Sequence, residues 1–576
     1  MKKIIWILVV LALAAGGYFA YIRIFSTNDL VASIPKDAAV VIAVDLKSIA
    51  TKAGGEKLLN MEMIKRMREE MKKQNDPSLN VMNELFEDPM KSGLNFLNRA
   101  YMFVTVKNDH PVFGLVCGLL SSSTFESMLK KFSLKDSIVN GGDMKTMKFE
   151  KSALMGWNSK QVVFLGGMSE AIDPAYMKDI FAHASSVSSI GNFNKFNDTK
   201  FDAGVFINYG VFMAMSKGMA AGPVAMMGDL YKDTYADVTT VFENNSIVSN
   251  MHYYIDNKDM EKKLMMMNDK GISEDHLKLI SDKKVLGILS MSFDPKKFIE
   301  LFDTNPMLAG MLIEVASQAG ITKDELKDLL TGDISLAFTD VRSEPTRKLK
   351  YNYDHKTGAM STEEVADTSM MPMFTGTIGI KTRATFDKLM KRTGLQKEGP
   401  YYMIKAPGIT LYMVENKVGV TITDDKSLAD KIADKKELGE IGDPAKGIVR
   451  DNALGFYMDL DYKNYPEILF TKMHEQIGED GFSAFKNTTS MLKDFEMKGG
   501  KNGSAMELKL TDGNGDNSLY RILDAIDKNV YPLVAKQELN RRKGIDDEEQ
   551  EAMNRARLDS VAAAVATSAP VKRSKK

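Results

Sequence analysis

The chain has 576 residues, more than a single hydrophobic core can serve, so two or more domains are expected. Lys and Arg number 76 against 77 Asp and Glu, and a formal net charge of -1 excludes the basic surface that nucleic-acid binding requires. A single cysteine, Cys117, excludes a disulfide framework or a multi-cysteine metal centre, and its setting in Val112-Phe113-Gly114-Leu115-Val116-Cys117 reads as a small buried hydrophobe.

At the amino terminus, Ile4 to Ile22 carries no charge and is long enough to span a hydrocarbon core as a helix. Lys2 and Lys3 precede it, which favours a cytoplasmic amino terminus and export of the rest. Residues 1–25 are therefore expected to form a transmembrane signal-anchor, with the lipid bilayer as partner and a periplasmic ectodomain. A cleaved signal peptide is the competing expectation, because Ala12-Leu13-Ala14 resembles a cleavage site.

The next elements recur. Ala39 to Val44 and Leu286 to Met291 are apolar runs, followed by the helix-start candidates Asp45 and Asp294-Pro295. Apolar strands at Phe113 to Leu120 and Phe374 to Ile380 each feed a helix: Thr124-Phe125-Glu126-Ser127-Met128-Leu129-Lys130-Lys131 matches Thr385-Phe386-Asp387-Lys388-Leu389-Met390-Lys391-Arg392 at a separation of 261. Phe125, Met128 and Leu129, like Phe386, Leu389 and Met390, define one buried face. Ser123 and Glu126 suggest a capping box in the first copy. Hairpins at Leu154 to Leu165 and Leu411 to Ile422 follow, then strands at Ala203 and Ala453, then closing hairpins turning at Glu243-Asn244-Asn245 and Gly500-Lys501-Asn502-Gly503. Separations of 257 and 250 at Leu154 and Ala203 indicate short insertions in an old duplication.

The expected fold is α+β: two tandem duplicated modules, residues 30–270 and 280–535, each an antiparallel or mixed sheet with helices packed on one face, plus the amino-terminal transmembrane helix. The copies differ at the second hairpin, where a short Lys107-Asn108-Asp109-His110 turn becomes a polar stretch from Val341 to Met371, expected as a disordered or binding loop. Residues 536–576 read as a charged helical or disordered tail ending in Val571-Lys572-Arg573-Ser574-Lys575-Lys576.

Motifs for chemistry are scarce. No two of the six histidines have metal-ligand spacing, and His252, aligned with Lys509 of the second copy, is expected to face solvent. Thr511-Asp512-Gly513-Asn514-Gly515-Asp516-Asn517 alternates acids and amides as a calcium loop does, but Asn517 and Leu523 occupy the places of the required glycine and glutamate, so a turn is expected. Ser127 and Lys130 have an acyl-transfer spacing on what reads as a structural helix. The 40 methionines raise Cu(I), but histidine and cysteine company is absent, so core filling is the reading. No catalytic residue, metal or cofactor is assigned. Between Gly210 and Gly228, Met213, Met215, Met219, Met226 and Met227 stand among glycines and alanines as a candidate apolar binding groove or lid.

Ile34-Pro35-Lys36-Asp37-Ala38, the apolar strand after it and Asp45-Leu46-Lys47-Ser48 resemble a family of uncharacterised bacterial envelope proteins, a domain of unknown function typical of Gram-negative anaerobes. The resemblance implies an exported or lipid-anchored chain with a long α+β body, and it supplies no catalytic residues. This chain departs from the lipoprotein pattern in having no acylatable cysteine near its start. The expectation is a non-catalytic, membrane-anchored envelope protein that binds a protein partner or an apolar ligand in the cleft between modules. The alternatives are an envelope-polymer hydrolase using paired carboxylates and a passive structural spacer.

Overall fold

The computed structural model describes residues 29–541 apart from the short stretches 74–76, 108–109, 133–137, 151, 168–171, 184, 217–230, 259–260, 263–264, 282–283, 304–305, 354–359, 396, 407–408 and 437. Within the first half the strands are β1 (Val40–Asp45), β2 (Leu94–Asn95), β3 (Arg99–Lys107), β4 (His110–Leu119), β5 (Ile138–Asn140), β6 (Lys145–Glu150), β7 (Ala153–Trp157), β8 (Gln161–Gly167), β9 (Ala203–Asn208), β10 (Thr234–Phe242) and β11 (Ser246–Ile255). The second half supplies β12 (Gly287–Ser292), β13 (Leu330–Tyr353), β14 (Met360–Ile380), β15 (Lys397–Glu398), β16 (Tyr401–Ala406), β17 (Ile409–Glu415), β18 (Gly419–Thr423), β19 (Leu454–Asp459), β20 (Leu492–Gly500) and β21 (Gly503–Leu510).

All of these strands belong to one antiparallel sheet. Its order is 5-6-7-8-4-3-1-9-10-11 in the first half and 21-20-19-12-13-14-18-17-16-15 in the second, with β2 extending the β3 side of β4. The halves meet edge to edge where β11 pairs with β21, from Ser246 opposite Lys509 to His252 opposite Gly503. The order is palindromic about this seam. Two separate sheets are thus corrected to one, because each half ends in a long strand whose open hydrogen-bonding edge is completed by the matching strand of the other.

Both faces carry helices, which corrects the expectation of one covered face. On the first face, A, the helices Pro174–Phe181 and Gly191–Asp198 cover Val41, Phe103, Leu165 and Phe206. The second half packs Glu274–Leu277 and Ala445–Asp451 over Ile288, Ala337 and Tyr457, and Lys426–Ala433 over Tyr401 and Val414. On the opposite face, B, the core clusters lie over the outer strands. There Pro77–Glu87 and Ser122–Lys131 bury Leu119, Trp157 and Val162, and Arg383–Thr393 buries Val420.

Local chemistry explains the helix starts. Asp45 accepts a hydrogen bond from Ser48 N at 2.8 Å, and Asp294, followed by Pro295, accepts from Lys296 N at 2.9 Å. Ser121, one turn ahead of Thr124, caps Ser122–Lys131 by accepting from Thr124 N. That replaces the capping box expected at Ser123, since Glu126 turns instead to Lys145 and Trp157.

Apart from 354–359, which lie outside the described residues, the polar stretch 341–371 is strand rather than loop. It extends β13 and β14 as a two-stranded ribbon past the rest of the sheet, held by cross-strand ion pairs of Arg347 with Glu364 at 3.2 Å and Lys348 with Asp367 at 2.8 Å. At its base Arg342 meets the buried Asp424 at 3.0 Å.

Among the described residues no helix is long and apolar enough to cross a membrane, so the fold is corrected to α+β with no transmembrane helix among those residues. Residues 1–25, on which the signal-anchor expectation falls, lie outside the described residues, as does the tail from 542 onward.

Candidate binding surface

The strands nearest the seam alternate strictly, and this sorts their chemistry onto two faces. β10 sends Tyr235, Asp237, Thr239 and Val241 to face A, where they lie beside Tyr254, His252, Asn250 and Val248 of β11. Across the seam these continue into Glu507 and Lys509 of β21, and then into Glu496 and Asp494 of β20. Face B receives the residues between them: Val238, Ile247, Met251, Met506, Leu508, Phe495 and Met497.

Face B continues apolar on either side of the seam, through Val205, Ile42 and Met102 in one direction and Phe456, Leu289 and Leu336 in the other. No side chain named in either stretch is charged. None of them belongs to a core cluster, and Met102, Leu289 and Leu336 are 44%, 41% and 49% exposed. From β3 to β13 this floor spans about ten strands, which at ~4.8 Å per strand and ~17 Å of strand length gives a geometric footprint of roughly 800 Å², over which ten of the thirteen named side chains are partly buried. A continuous apolar face without charge is the candidate binding surface. Further apolar side chains are exposed on the helix Pro306–Gln318, where Met311, Ile313 and Val315 stand open beside a single acid, Glu314.

The polar face at the seam is built differently. Asp237, 2% exposed, accepts from His252 Nδ1 at 2.9 Å and from Tyr254 Oη at 2.6 Å. Burial and the bond to Asp237 push the Tyr254 phenol well above its usual range. Glu496, also 2% exposed, accepts from Lys498 at 2.7 Å and from Lys509. Burial would raise its pKa, but those two lysines hold it below the usual carboxylate range. Burial raises Asp494 in spite of Lys509 at 3.5 Å. A wide polar cleft of about 760 Å³ opens at this end of the seam between Lys52, Asn244, Lys493, Glu507 and Lys509. Two of its cations are already engaged, Lys52 by Asp202 at 2.7 Å and Lys509 by Glu496.

These observations bear on the hydrolase alternative. Asp459 and Asp494 are opposite neighbours on β19 and β20, but Asp459 is occupied by Asn464 at 2.8 Å and Lys284 at 2.8 Å. Neither acid lines the polar cleft. In the core of the second half His276 Nε2 lies 2.9 Å from Ser335 Oγ, yet His276 is fully buried and its Nδ1 has no partner. Burial lowers its pKa to about 4, as expected of a core histidine kept neutral.

The methionine candidates divide. Met213 and Met215 lie half-buried on the helix Tyr209–Ser216, which packs on β9 and β10. Met219, Met226 and Met227 lie outside the described residues. His252 pairs in register with Asp237, and its side chain is about half exposed. The apolar floor went unread in the sequence, although a signal was present: Ile247, Met251, Met506 and Leu508 alternate with polar residues on strands β11 and β21.

The family model described as Domain of unknown function (DUF4836) matches residues 31–519. The chain belongs to this family. No curated protein matches it. Among solved structures it is similar to crystal forms I and III of TP0453, each at 9% identity and a TM-score of 0.24. Form I covers 41% of this chain and 84% of its own, and form III 43% and 91%. A likeness that slight carries no weight for fold or function.

Proposed function

We propose that this protein is a non-catalytic binding protein of the cell envelope that holds an apolar ligand, the hydrocarbon chains of a lipid, against the open face of its sheet. The observation that carries the reading is the uncharged apolar floor from Met102 to Leu336, uncovered by any core cluster. A hydrocarbon chain brings no polar group to satisfy, and the methionines at 102, 251, 497 and 506 can repack around chains of varied shape. Helices flank the floor over the outer strands, which leaves a trough one layer deep. The uncharged run after Lys2 and Lys3 supports export, and the family resemblance supports an envelope location.

A protein partner is the second reading, favoured by the far end of the ribbon. There Leu349, Tyr351 and Met360 are 53%, 64% and 69% exposed.

Titration of the full-length protein with a fluorescent long-chain fatty acid tests the primary reading. Saturable binding is expected, weakened at least about tenfold by Met251→Glu or Met497→Glu, since a carboxylate under an apolar ligand loses its water without gaining a partner. Failure of the native chain to bind the probe, with envelope proteins crosslinking to position 351, would overturn it in favour of a protein partner.

A further inference from the structure

The polar cleft at the end of the seam is built by both halves. Lys52, at the end of the helix Leu46–Lys52, and the turn from Glu243 to Ser246 between β10 and β11 line it from the first half. Lys493 of β20 with Glu507 and Lys509 of β21 line it from the second. Binding sites form preferentially between structural units, and this hollow encloses about 760 Å³.

Several of its side chains are fixed from behind. Lys52 Nζ lies 2.7 Å from Asp202, an acid 2% exposed that also accepts from Phe242 N at 2.6 Å and from Ser48 Oγ. Lys509 is held by Glu496, and Asn245 accepts from Arg521 at 3.4 Å. Groups held in place this way lose little conformational freedom when a ligand arrives. Among the described residues Asn244, Lys493 and Glu507 enter no ion pair or side-chain hydrogen bond, so their donors and acceptors are open to a ligand.

Charge, backbone and side-chain chemistry together define that ligand. In the lining and directly behind it stand five cations: Lys52, Lys493, Lys498, Lys509 and Arg521. Five acids face them, Asp202, Glu243, Asp494, Glu496 and Glu507, a balance of zero. An anion gains no net attraction there and meets Glu507. The backbone is committed as well, since the N–H groups of Phe242, Glu243 and Leu510 already donate to Asp202, Ser246 O and Asn245 O. No nest of free amides is offered to a phosphate at these positions, and no open strand edge to an extended peptide. What remains is an amide that gives and takes hydrogen bonds, an ammonium that gives them and a carboxylate that takes them. Phe242 and Leu510 add apolar surface beside these groups.

We propose that this cleft binds a neutral saccharide. Sugar hydroxyls both donate and accept, which suits Asn244, Lys493 and Glu507 at once, and the C–H face of a pyranose ring can lie against Phe242.

The proposal is independent of hydrocarbon binding on face B. An array of neutral and sulfated oligosaccharides, probed with the full-length protein and followed by calorimetric titration with the best neutral member, tests it. Saturable binding of a neutral oligosaccharide is expected. Asn244→Ala and Glu507→Ala should each weaken it at least about tenfold, and Glu507→Gln, which keeps one acceptor, should recover part of the loss. Asn244 is exposed at a hairpin turn, so its variant reads the contact rather than the fold. Met251→Glu on face B should leave the affinity unchanged. Binding of sulfated members alone, lost in Lys493→Ala, would overturn the proposal in favour of an anion site. Affinity that survives both alanine variants, or no binding to any neutral member, would overturn it outright.

Discussion

At the residue scale, buried polar groups divide into those satisfied by a partner and those held neutral. Asp237 is kept by His252 and Tyr254, and Glu496 by Lys498 and Lys509, so the seam buries two acids without leaving either alone. His276 has been neutralised instead. Its pKa of about 4 in the folded protein lies below the ordinary value of 6.5, so below pH 6.5 the unfolded chain binds the proton first and stability falls as pH drops from 6.5 towards 4. By pH 5 the loss from this group is expected to reach about 2 kcal/mol. Urea unfolding of the native chain and His276→Gln at pH 7 and pH 5 checks this: the variant should lose less stability between the two pH values, and an equal loss would contradict the assignment. Glycine matters at one position on each of β9 and β19. A Cβ on Gly204 would lie 2.7 Å from the Phe196 ring, and one on Gly455 would lie 2.9 Å from Ile448 O, so both halves use glycine to seat a helix against face A.

At the scale of elements, helix ends tie distant parts of the chain together. Asp527, near the carboxyl end of the described fold, accepts from Glu62 N at 2.9 Å and Met63 N at 2.7 Å, and so supplies partners for the first amides of the helix Glu62–Lys73. Around it Ala53, Leu58 and Ile64 pack with Leu519, Tyr520 and Leu523. Asp527→Ala is expected to cost about 1 to 2 kcal/mol, as loss of a helix cap does. Hydrogen exchange should show faster exchange confined to residues 62–66 and 518–530; unchanged protection there would refute the role. The ribbon of β13 and β14 belongs to this scale as well. Alternating charges over 342–350 and 363–367 read as a polar loop in one dimension, and only their opposition across a hairpin turns them into ion pairs.

On the scale of the whole molecule, the seam joins what would otherwise be two sheets with open edges. Proline in a strand interior removes a ladder hydrogen bond. Ser504→Pro, at a residue whose N–H faces β11, is therefore expected to weaken the union of the halves, each of which keeps its own core under face A. Differential scanning calorimetry should resolve two transitions in this variant where the native chain has one. A single transition, lowered as a unit, would mean that the halves do not unfold independently.

Much of the element pattern is legible in one dimension because it rests on local rules. Ser122–Lys131 and Arg383–Thr393 show their buried faces as apolar residues at i, i+3 and i+4, and the hairpins show their turns at Asn158 and Asn416. Asp45 and Asp294 announce helix starts through chemistry confined to three residues. The binding surface was legible only as alternation, since a strand with one apolar face looks the same whether a helix covers that face or solvent does. Which faces stay open depends on where helices more than a hundred residues away come to rest. By itself, the sequence determined the elements, their repetition and the absence of charge along the floor. Only the tertiary structure decided that the two halves share one sheet and that the apolar side chains of its central face B join no core cluster, because edge pairing and helix placement are contacts between distant segments that no local pattern encodes.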